Sequence, residues 1–287
     1  MSRASAQPGA PQLLLIDCGN SRLKWARCAL PYRRGQPLTD AGAVDLQPRR
    51  RAERVLRALL RASAAGTRLQ VCNVAGRGWE RLIAGVARQT GLPAPDFVRT
   101  AAAAAGVRNG YAEPWRLGVD RWVALIGARH AYPRSALCIV AVGSAMTIDL
   151  LDANGRHRGG SIIPGPSMMI RALLLQTAGI RRRAQLSGPG AVQRAVAASA
   201  AVRAGPGLFG RDTRAALLGG ATHAGAALIE HALAEARRVL RRRPRLLLGG
   251  GAAGAVSAVL ALPRQRHDDL VLRGLAVLAG AADRVES

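Results

Sequence analysis

The apolar run Leu13 to Cys18 stops at Gly19 and gives way to an alternating stretch, Ser21 to Cys28. The same succession returns at Ala136 to Val142, Gly143 and Met146 to Leu151. A strand that turns on glycine directly into a second strand makes an antiparallel hairpin, since a parallel partner needs a long crossover. Two such hairpins, each followed by alternating helical and extended signals, predict an α/β protein made by internal duplication, with a cleft between the halves. The halves are assigned to residues 13–112 and 113–287, after a flexible Pro/Gly/Ser/Ala-rich segment at residues 1–12. A chain of 287 residues is long enough for two such domains.

Within the first half, helical periodicity covers roughly 48–65 and 79–90, and extended runs lie at Arg68 to Val74 and near Phe97. Asn109-Gly110 and Pro114 punctuate the chain before Gly118 opens another helix. In the second half, the turn Asp152 to Gly155 precedes a strand ending at Ile163, and Pro164-Gly165-Pro166 leads into a helix to Gln176. A basic Ala-rich helical region and a long helix from about Thr213 to Arg241 follow. The pattern ends with a strand at Leu246 to Leu248, a turn at Gly249-Gly250-Gly251, a helix near Ala253 to Ala261, a strand at Leu270 to Leu272 and a helix from Gly274. The uncharged window Leu246 to Pro263 has the length of a membrane span, but its glycines divide it into strand, turn and helix.

A formal net charge of +25 attracts phosphates, nucleic acids and acidic surfaces over long range. Attraction is not recognition: Arg49 to Arg51, Arg181 to Arg183 and Arg241 to Arg243 have no interleaved aromatics, and no zinc-finger spacing is present, so the triplets read as solvated faces. The last triplet, with Arg237 and Arg238, closes a helix where cations oppose the negative end of the dipole. With only 3% aromatic residues the core is expected to be aliphatic. Cys18, Cys28, Cys72 and Cys138 form no Cys-x-x-Cys pair, and the apolar run after the N-terminal segment is too short for a signal peptide. Both features point to buried thiols in the reducing cytoplasm.

Four constellations carry chemistry. The stretch Asp17-Cys18-Gly19-Asn20-Ser21-Arg22-Leu23-Lys24 sets a carboxylate, a glycine turn, small polar donors and the sole lysine of the chain at the end of a strand. Gly19 lets backbone approach a phosphate, Asp17 can hold Mg²⁺ directly or through water, and a compact ammonium suits a narrow site better than a guanidinium fork. An ordinary Gly-Asn hairpin turn explains the same residues equally well when they are taken alone. Gly143-Ser144-Ala145-Met146-Thr147, followed by Asp149, repeats the turn in the second half. Gly249-Gly250-Gly251 can admit a nucleoside or serve only as a tight connection. Asn109-Gly110-Tyr111 with Gly118-Val119-Asp120-Arg121-Trp122 supplies a base for a hydroxyl proton in Asp120 and an anion binder in Arg121, against the common alternative of a helix cap with a surface cation.

In order and spacing these segments resemble the type III pantothenate kinases of the acetate-and-sugar-kinase/actin-like superfamily. The matching motifs are Asp-x-Gly-Asn-Ser-x-x-Lys at 17–24, Asn-Gly-Tyr at 109–111, Gly-x-Asp-Arg-Trp at 118–122, Gly-Ser-Ala-x-Thr at 143–147 and Gly-Gly-x-x-x-Pro-Gly at 159–165. A further element, Thr-x-x-Ala-x-x-x-Gly, falls at Thr213, Ala216 and Gly220. The resemblance implies two duplicated ribonuclease-H-like domains with the active site in the cleft between them. It implies ATP- and Mg²⁺-dependent phosphorylation of pantothenate, the first committed step toward coenzyme A, in a homodimer. It makes Asp120 the general base and Tyr111, Gly118, Val119, Asp120 and Arg121 the pantothenate contacts, with Thr213 reaching pantothenate across the dimer. ATP is assigned to residues 17–24, Ser144, Gly250 and Gly251.

Three departures accompany it. Ala141 stands where the family has the carboxylate of a K⁺ or NH₄⁺ site, Ser144 replaces a threonine, and Ile180-Arg181 replaces Leu-Pro after Thr177. The competing expectations are a nucleic-acid-linked accessory protein on the same scaffold, suggested by the charge and by relatives described as transcriptional accessory factors, and a kinase of another small alcohol. No membrane association is expected.

Overall fold

In the computed structural model, which describes residues 12–188, 190–199 and 205–282, the chain folds into two compact units. In chain order the elements begin with β1 (Gln12–Cys18), β2 (Arg22–Ala29), β3 (Thr39–Asp45), α1 (Arg49–Arg61), β4 (Arg68–Asn73), α2 (Arg77–Gln89) and β5 (Asp96–Phe97). A small hairpin of β6 (Ala103–Ala104) and β7 (Val107–Arg108), a single 3₁₀ turn at Pro114–Arg116 and α3 (Val119–Ala131) follow. Then come β8 (Leu137–Val142), β9 (Ala145–Leu151), β10 (His157–Pro164), α4 (Pro166–Gln176), α5 (Ala178–Ala184), α6 (Ala191–Ser199) and α7 (Thr213–Leu240). The chain ends with β11 (Arg245–Gly249), α8 (Ala253–Val259), β12 (Gln265–Arg266) and α9 (Leu270–Ala282). The expected flexible segment lies outside the described residues up to residue 11.

Each unit is built on one five-stranded sheet, and the two sheets have the same order: β3-β2-β1-β4-β5 and β10-β9-β8-β11-β12. In both, the hairpin and its third strand pair antiparallel, while the strands reached by helical crossovers pair parallel. The repeated turn signals at Gly19 and Gly143 therefore do mark an internal duplication of the ribonuclease-H-like kind. Among the described residues the second copy carries four helices, α4 to α7, where the first carries α1 alone.

The sheet of the first unit packs Leu14, Ile16, Leu23, Leu69 and Val71 against Leu56, Leu60, Ile83 and Val86 of α1 and α2. The period of two in a strand sends the buried Leu13 and Leu15 to the opposite face, where α9 and α3 cover β1 and β4. In the second unit Val140, Val142, Ile148, Leu246 and Leu248 pack on Ile229 and Leu233 of α7 and Val256 of α8. The core of the second unit is aliphatic apart from Cys138 and Met146, while the first unit buries Trp79 and Trp122 among its aliphatic side chains, and the four cysteines are buried and unbridged. Among the described residues no helix is long and apolar enough to cross a membrane.

Three expectations are corrected. The units divide after Pro133 and not at residue 112, and the segment from Asp269 onward returns to the first unit. Its helix α9 packs along α3, and the reason is steric. A methyl at Gly127 would overlap the Leu270 carbonyl, and one at Gly274 would overlap that of Val123, so reciprocal glycines let the two backbones approach. The same packing explains why Leu270 to Leu272 is the first turn of a helix and not a strand. The apolar triplet looks extended by itself, but Leu270 and Leu272 are buried on one helix, and the short parallel strand lies earlier, at Gln265–Arg266. Strand β3 gave no sequence signal because Thr39-Asp40-Ala41-Gly42 has little β character; Gly42 sits opposite Trp25, whose indole fills the space a side chain would need.

Candidate functional site

At the carboxyl end of β1 the Gly19-Asn20-Ser21 turn is closed by the Gly19 N–H donating to the Arg22 carbonyl at 3.0 Å. It is anchored to the sheet by the Leu46 N–H, which donates to the Ser21 carbonyl at 2.8 Å. Register places Lys24 directly opposite Asp17 across the hairpin and Cys72 beside it on β4, so the ammonium and the carboxylate share one face. Asp17 is only 8% exposed. Burial pushes its carboxyl up to about 6 against the pull of Lys24, and the negative charge of Asp120 pushes in the same direction as burial. The Cys72 thiol is raised well above its ordinary range by burial and then by the same two aspartates. Asp17 and Asp120, far apart in sequence, thus share one electrostatic neighbourhood.

Asp120 lies in the first turn of α3, where unpaired N–H groups favour a carboxylate. Its Oδ1 accepts the Arg121 N–H at 2.8 Å. A Cβ at Gly118 would stand 2.8 Å from that oxygen, so a side chain there would push the carboxylate out of its position. Arg121 is buried at 6% exposure, which rules out a surface cation. Its Nη1 donates to Tyr111 Oη at 3.1 Å, and its guanidinium carbon lies 5.7 Å from the centre of the Tyr111 ring. Asn109 braces this loop: its Oδ1 accepts the Tyr111 N–H at 3.0 Å, and its Nδ2 donates to the Pro114 and Ala101 carbonyls at 3.1 and 3.3 Å. The first unit thereby brings residues 17–24, 109–111 and 118–121 onto one scaffold. Cys18 and Leu23 are buried in the sheet beneath the turn, while Asn20, Ser21 and Arg22 are exposed.

In the second unit three glycine segments meet at the carboxyl end of β8, the end at which open α/β sheets take ligands. The Gly143 N–H donates to the Ala145 carbonyl at 2.9 Å and the Gly165 N–H to the Ser144 carbonyl at 2.7 Å. A methyl at Gly165 would overlap the Gly143 carbonyl. Gly250 has φ +101 and no room for a Cβ against the Val142 backbone, and the Ala252 N–H donates to the Val142 carbonyl at 3.0 Å. Ser144 is half-buried and Gly251 exposed. Thr213 opens α7 beside Asp212, whose carboxylate caps the helix by accepting the Ala215 N–H at 2.8 Å. These bonds do not connect Thr213 to the loops around Ser144.

Asp149, noted beside the second motif, belongs to the interior. It is buried in β9, with its Oδ1 2.9 Å from His157 Nε2. Ala141 is exposed and sits two residues before the Gly143 turn, as Asp17 sits before Gly19; its neighbours in register are Thr147 and Gly249. Two residues escaped the sequence reading altogether. Asp268 Oδ1 accepts the Gly250 N–H at 3.1 Å, and Arg266 Nε donates to both oxygens of Asp268 at 2.8 and 2.9 Å. They lie in a stretch whose strand is two residues long, so no periodicity marks them.

Among the described residues no group of three or more His, Cys, Asp or Glu side chains can enclose a metal ion. A buried carboxylate with a raised pKa, next to a glycine turn and a lysine, fits a Mg²⁺ ion that takes its other ligands from phosphate and water. The donor set at Ala141 does not fit an alkali cation in the same way, because no carboxylate stands there.

The sequence model of the type III pantothenate kinase family matches residues 13–235. A type III pantothenate kinase of Burkholderia ambifaria is 40% identical over 273 residues, covering 94% of this chain and 97% of its own. One of Cupriavidus taiwanensis is 39% identical over 293 residues, covering 95% and 99%. Among solved structures, AMPPNP-bound MreB 5 of Spiroplasma citri superposes with a TM-score of 0.52 at 10% identity over 97% of this chain and 99% of its own, a likeness of fold alone. Family match, full-length relatives and the duplicated actin-like fold agree: the chain belongs to the type III pantothenate kinase family.

Proposed function

We propose that the protein transfers the γ-phosphoryl group of ATP to the primary hydroxyl of pantothenate, giving 4'-phosphopantothenate and ADP, the first committed step toward coenzyme A. The observation that carries this reading is the acceptor group of Tyr111, Asp120 and Arg121 on the same unit, and in the same electrostatic neighbourhood, as the Asp17–Lys24 turn. As the hydroxyl oxygen bonds to phosphorus and the bond to the ADP oxygen breaks, Asp120 accepts the hydroxyl proton. Arg121, held by Tyr111, binds the pantothenate carboxylate and fixes the alcohol for in-line attack.

Lys24 and the Gly19 to Ser21 backbone take phosphate charge, and Asp17 would hold Mg²⁺, which would supply charge neutralisation for the phosphates. Ser144 contributes a hydroxyl toward the phosphates, and the turn at Gly250 and Gly251 presents its backbone to adenine and ribose. Thr213 completes the pantothenate site of a second copy in a homodimer. Leu175 on α4 and Phe209 just before Thr213 are strongly exposed apolar side chains of the kind that a second copy would cover. The unbridged cysteines suit the cytoplasm.

The deciding experiment is ATP consumption by the purified protein with Mg²⁺ and pantothenate beside a panel of related alcohols. ADP release specific to pantothenate is expected. Release with another alcohol and none with pantothenate would reassign the substrate, and release with neither would remove the kinase reading.

A further inference from the structure

Gly250 is held through both of its backbone polar groups. Its N–H donates to Asp268 Oδ1 at 3.1 Å, its carbonyl accepts from Arg266 Nη2 at 3.3 Å, and Arg266 and Asp268 are joined through Arg266 Nε at 2.8 and 2.9 Å. The loop they hold is conformationally demanding. Gly250 has φ +101, a Cβ there would meet the Val142 backbone, and one at Gly249 would meet the His267 carbonyl. Main-chain bonds reinforce the contact, since the His267 N–H donates to the Leu248 carbonyl at 2.9 Å. Arg266 and Asp268 are nonetheless about half exposed, and an ion pair so placed adds little to global stability. Its bonds converge on two backbone groups of a glycine turn.

The pair also stands where the chain passes from the second unit to the first, between Asp268 and Asp269. Asp269 is tied into the first unit: its Oδ2 accepts from Arg273 Nε at 2.8 Å, and Arg273 Nη1 donates to Tyr32 Oη at 3.0 Å. Two adjacent aspartates therefore fasten the crossover, one to the glycine turn and one to the first unit.

We infer that Arg266 and Asp268 are positioning residues for nucleotide, an ion-paired clamp that fixes the Gly250 peptide in the orientation ATP requires. The inference rests on the reading of Gly250 and Gly251 as nucleotide contacts. The clamp touches no reacting atom, so it acts on nucleotide affinity and leaves the acceptor side unchanged.

The test compares Arg266→Ala, Arg266→Lys, Asp268→Asn and Gly250→Ala by steady-state kinetics and by calorimetric binding of ADP. Loss of a charge-assisted bond is expected to raise both the KM for ATP and the Kd for ADP about tenfold in Arg266→Ala and Asp268→Asn. The KM for pantothenate and the kcat at saturating ATP stay within about twofold, and Arg266→Lys recovers part of the loss through its remaining charge. The inference is overturned if Gly250→Ala weakens ADP binding while Arg266→Ala and Asp268→Asn do not. If Gly250→Ala also binds ADP like wild type, the reading of the loop as a nucleotide contact falls with it. Should Asp268→Asn fail to fold, Arg266→Ala alone decides, because its side chain is about half exposed and its removal costs little stability.

Discussion

Asp120, in the first turn of α3, adds its negative charge to the burial that holds the Asp17 carboxyl at about 6. Family motifs name both residues but do not explain why they belong together. Two carboxylates in one field raise the energy of the ligand-free site, and a bound metal cation would relieve it. The arrangement stores affinity for a charged substrate complex at the expense of the empty protein.

Nucleotide use should therefore lose efficiency on the acid side of about pH 6, where Asp17 protonates in the free enzyme. The stability consequence runs the other way. Because the folded pKa, about 6, exceeds the ordinary 3.8, the folded state binds more protons between those values. Stability contributed by this group falls as pH rises through that window and stays lost above it. Asp17→Asn is expected to stabilise the ligand-free protein at pH 8 by on the order of 1–3 kcal/mol, with a gain that shrinks toward pH 4, while turnover collapses. Urea midpoints at several pH values check this; a variant less stable than wild type at pH 8 would show that the pairing with Lys24 outweighs burial.

Asp120→Asn preserves shape and the bond to the Arg121 N–H but cannot take a proton. Turnover should drop by roughly 10² to 10⁴ while ADP binding, read by calorimetry, stays within a few-fold of wild type. Wild-type turnover would remove Asp120 from the proton transfer.

Lys24 is the only lysine in a chain that otherwise uses arginine for its cations, and it faces Asp17 across the hairpin. Lys24→Ala should raise the KM for ATP, and Lys24→Arg should recover only part of the loss, since a guanidinium is larger and directs its donors in a plane. Full recovery in Lys24→Arg, measured by ATP titration, would mean that any cation serves.

Gly274→Ala puts a methyl into the Val123 carbonyl at the contact of α9 with α3. The helices must separate or one must shift, at a cost of about 1–3 kcal/mol or more. The thermal midpoint should fall by several degrees, and because α3 carries Asp120 and Arg121, the KM for pantothenate should rise more than that for ATP. Alanine at the neighbouring, half-buried Val277 adds no atom to the contact; as the control it should lower the midpoint less and leave the ratio of the two KM values unchanged.

The sequence by itself determined the hairpins, the duplication, nearly every long helix and the composition of both phosphate-type turns. These are written locally: the apolar run Leu13 to Cys18, the alternation in Ser21 to Cys28, the glycines at 19 and 143, and the motif residues sit where short-range geometry requires them. Only the tertiary structure decided that α9 belongs with α3, because the reciprocal fit of Gly127 and Gly274 involves residues distant in sequence and has no periodic signature. It also decided that Arg121 is buried against Tyr111, that Asp149 is consumed by His157, and that Arg266 and Asp268 grip Gly250. A side chain's charge is legible in the sequence. Its burial and its partners are set by which distant strand or helix packs beside it.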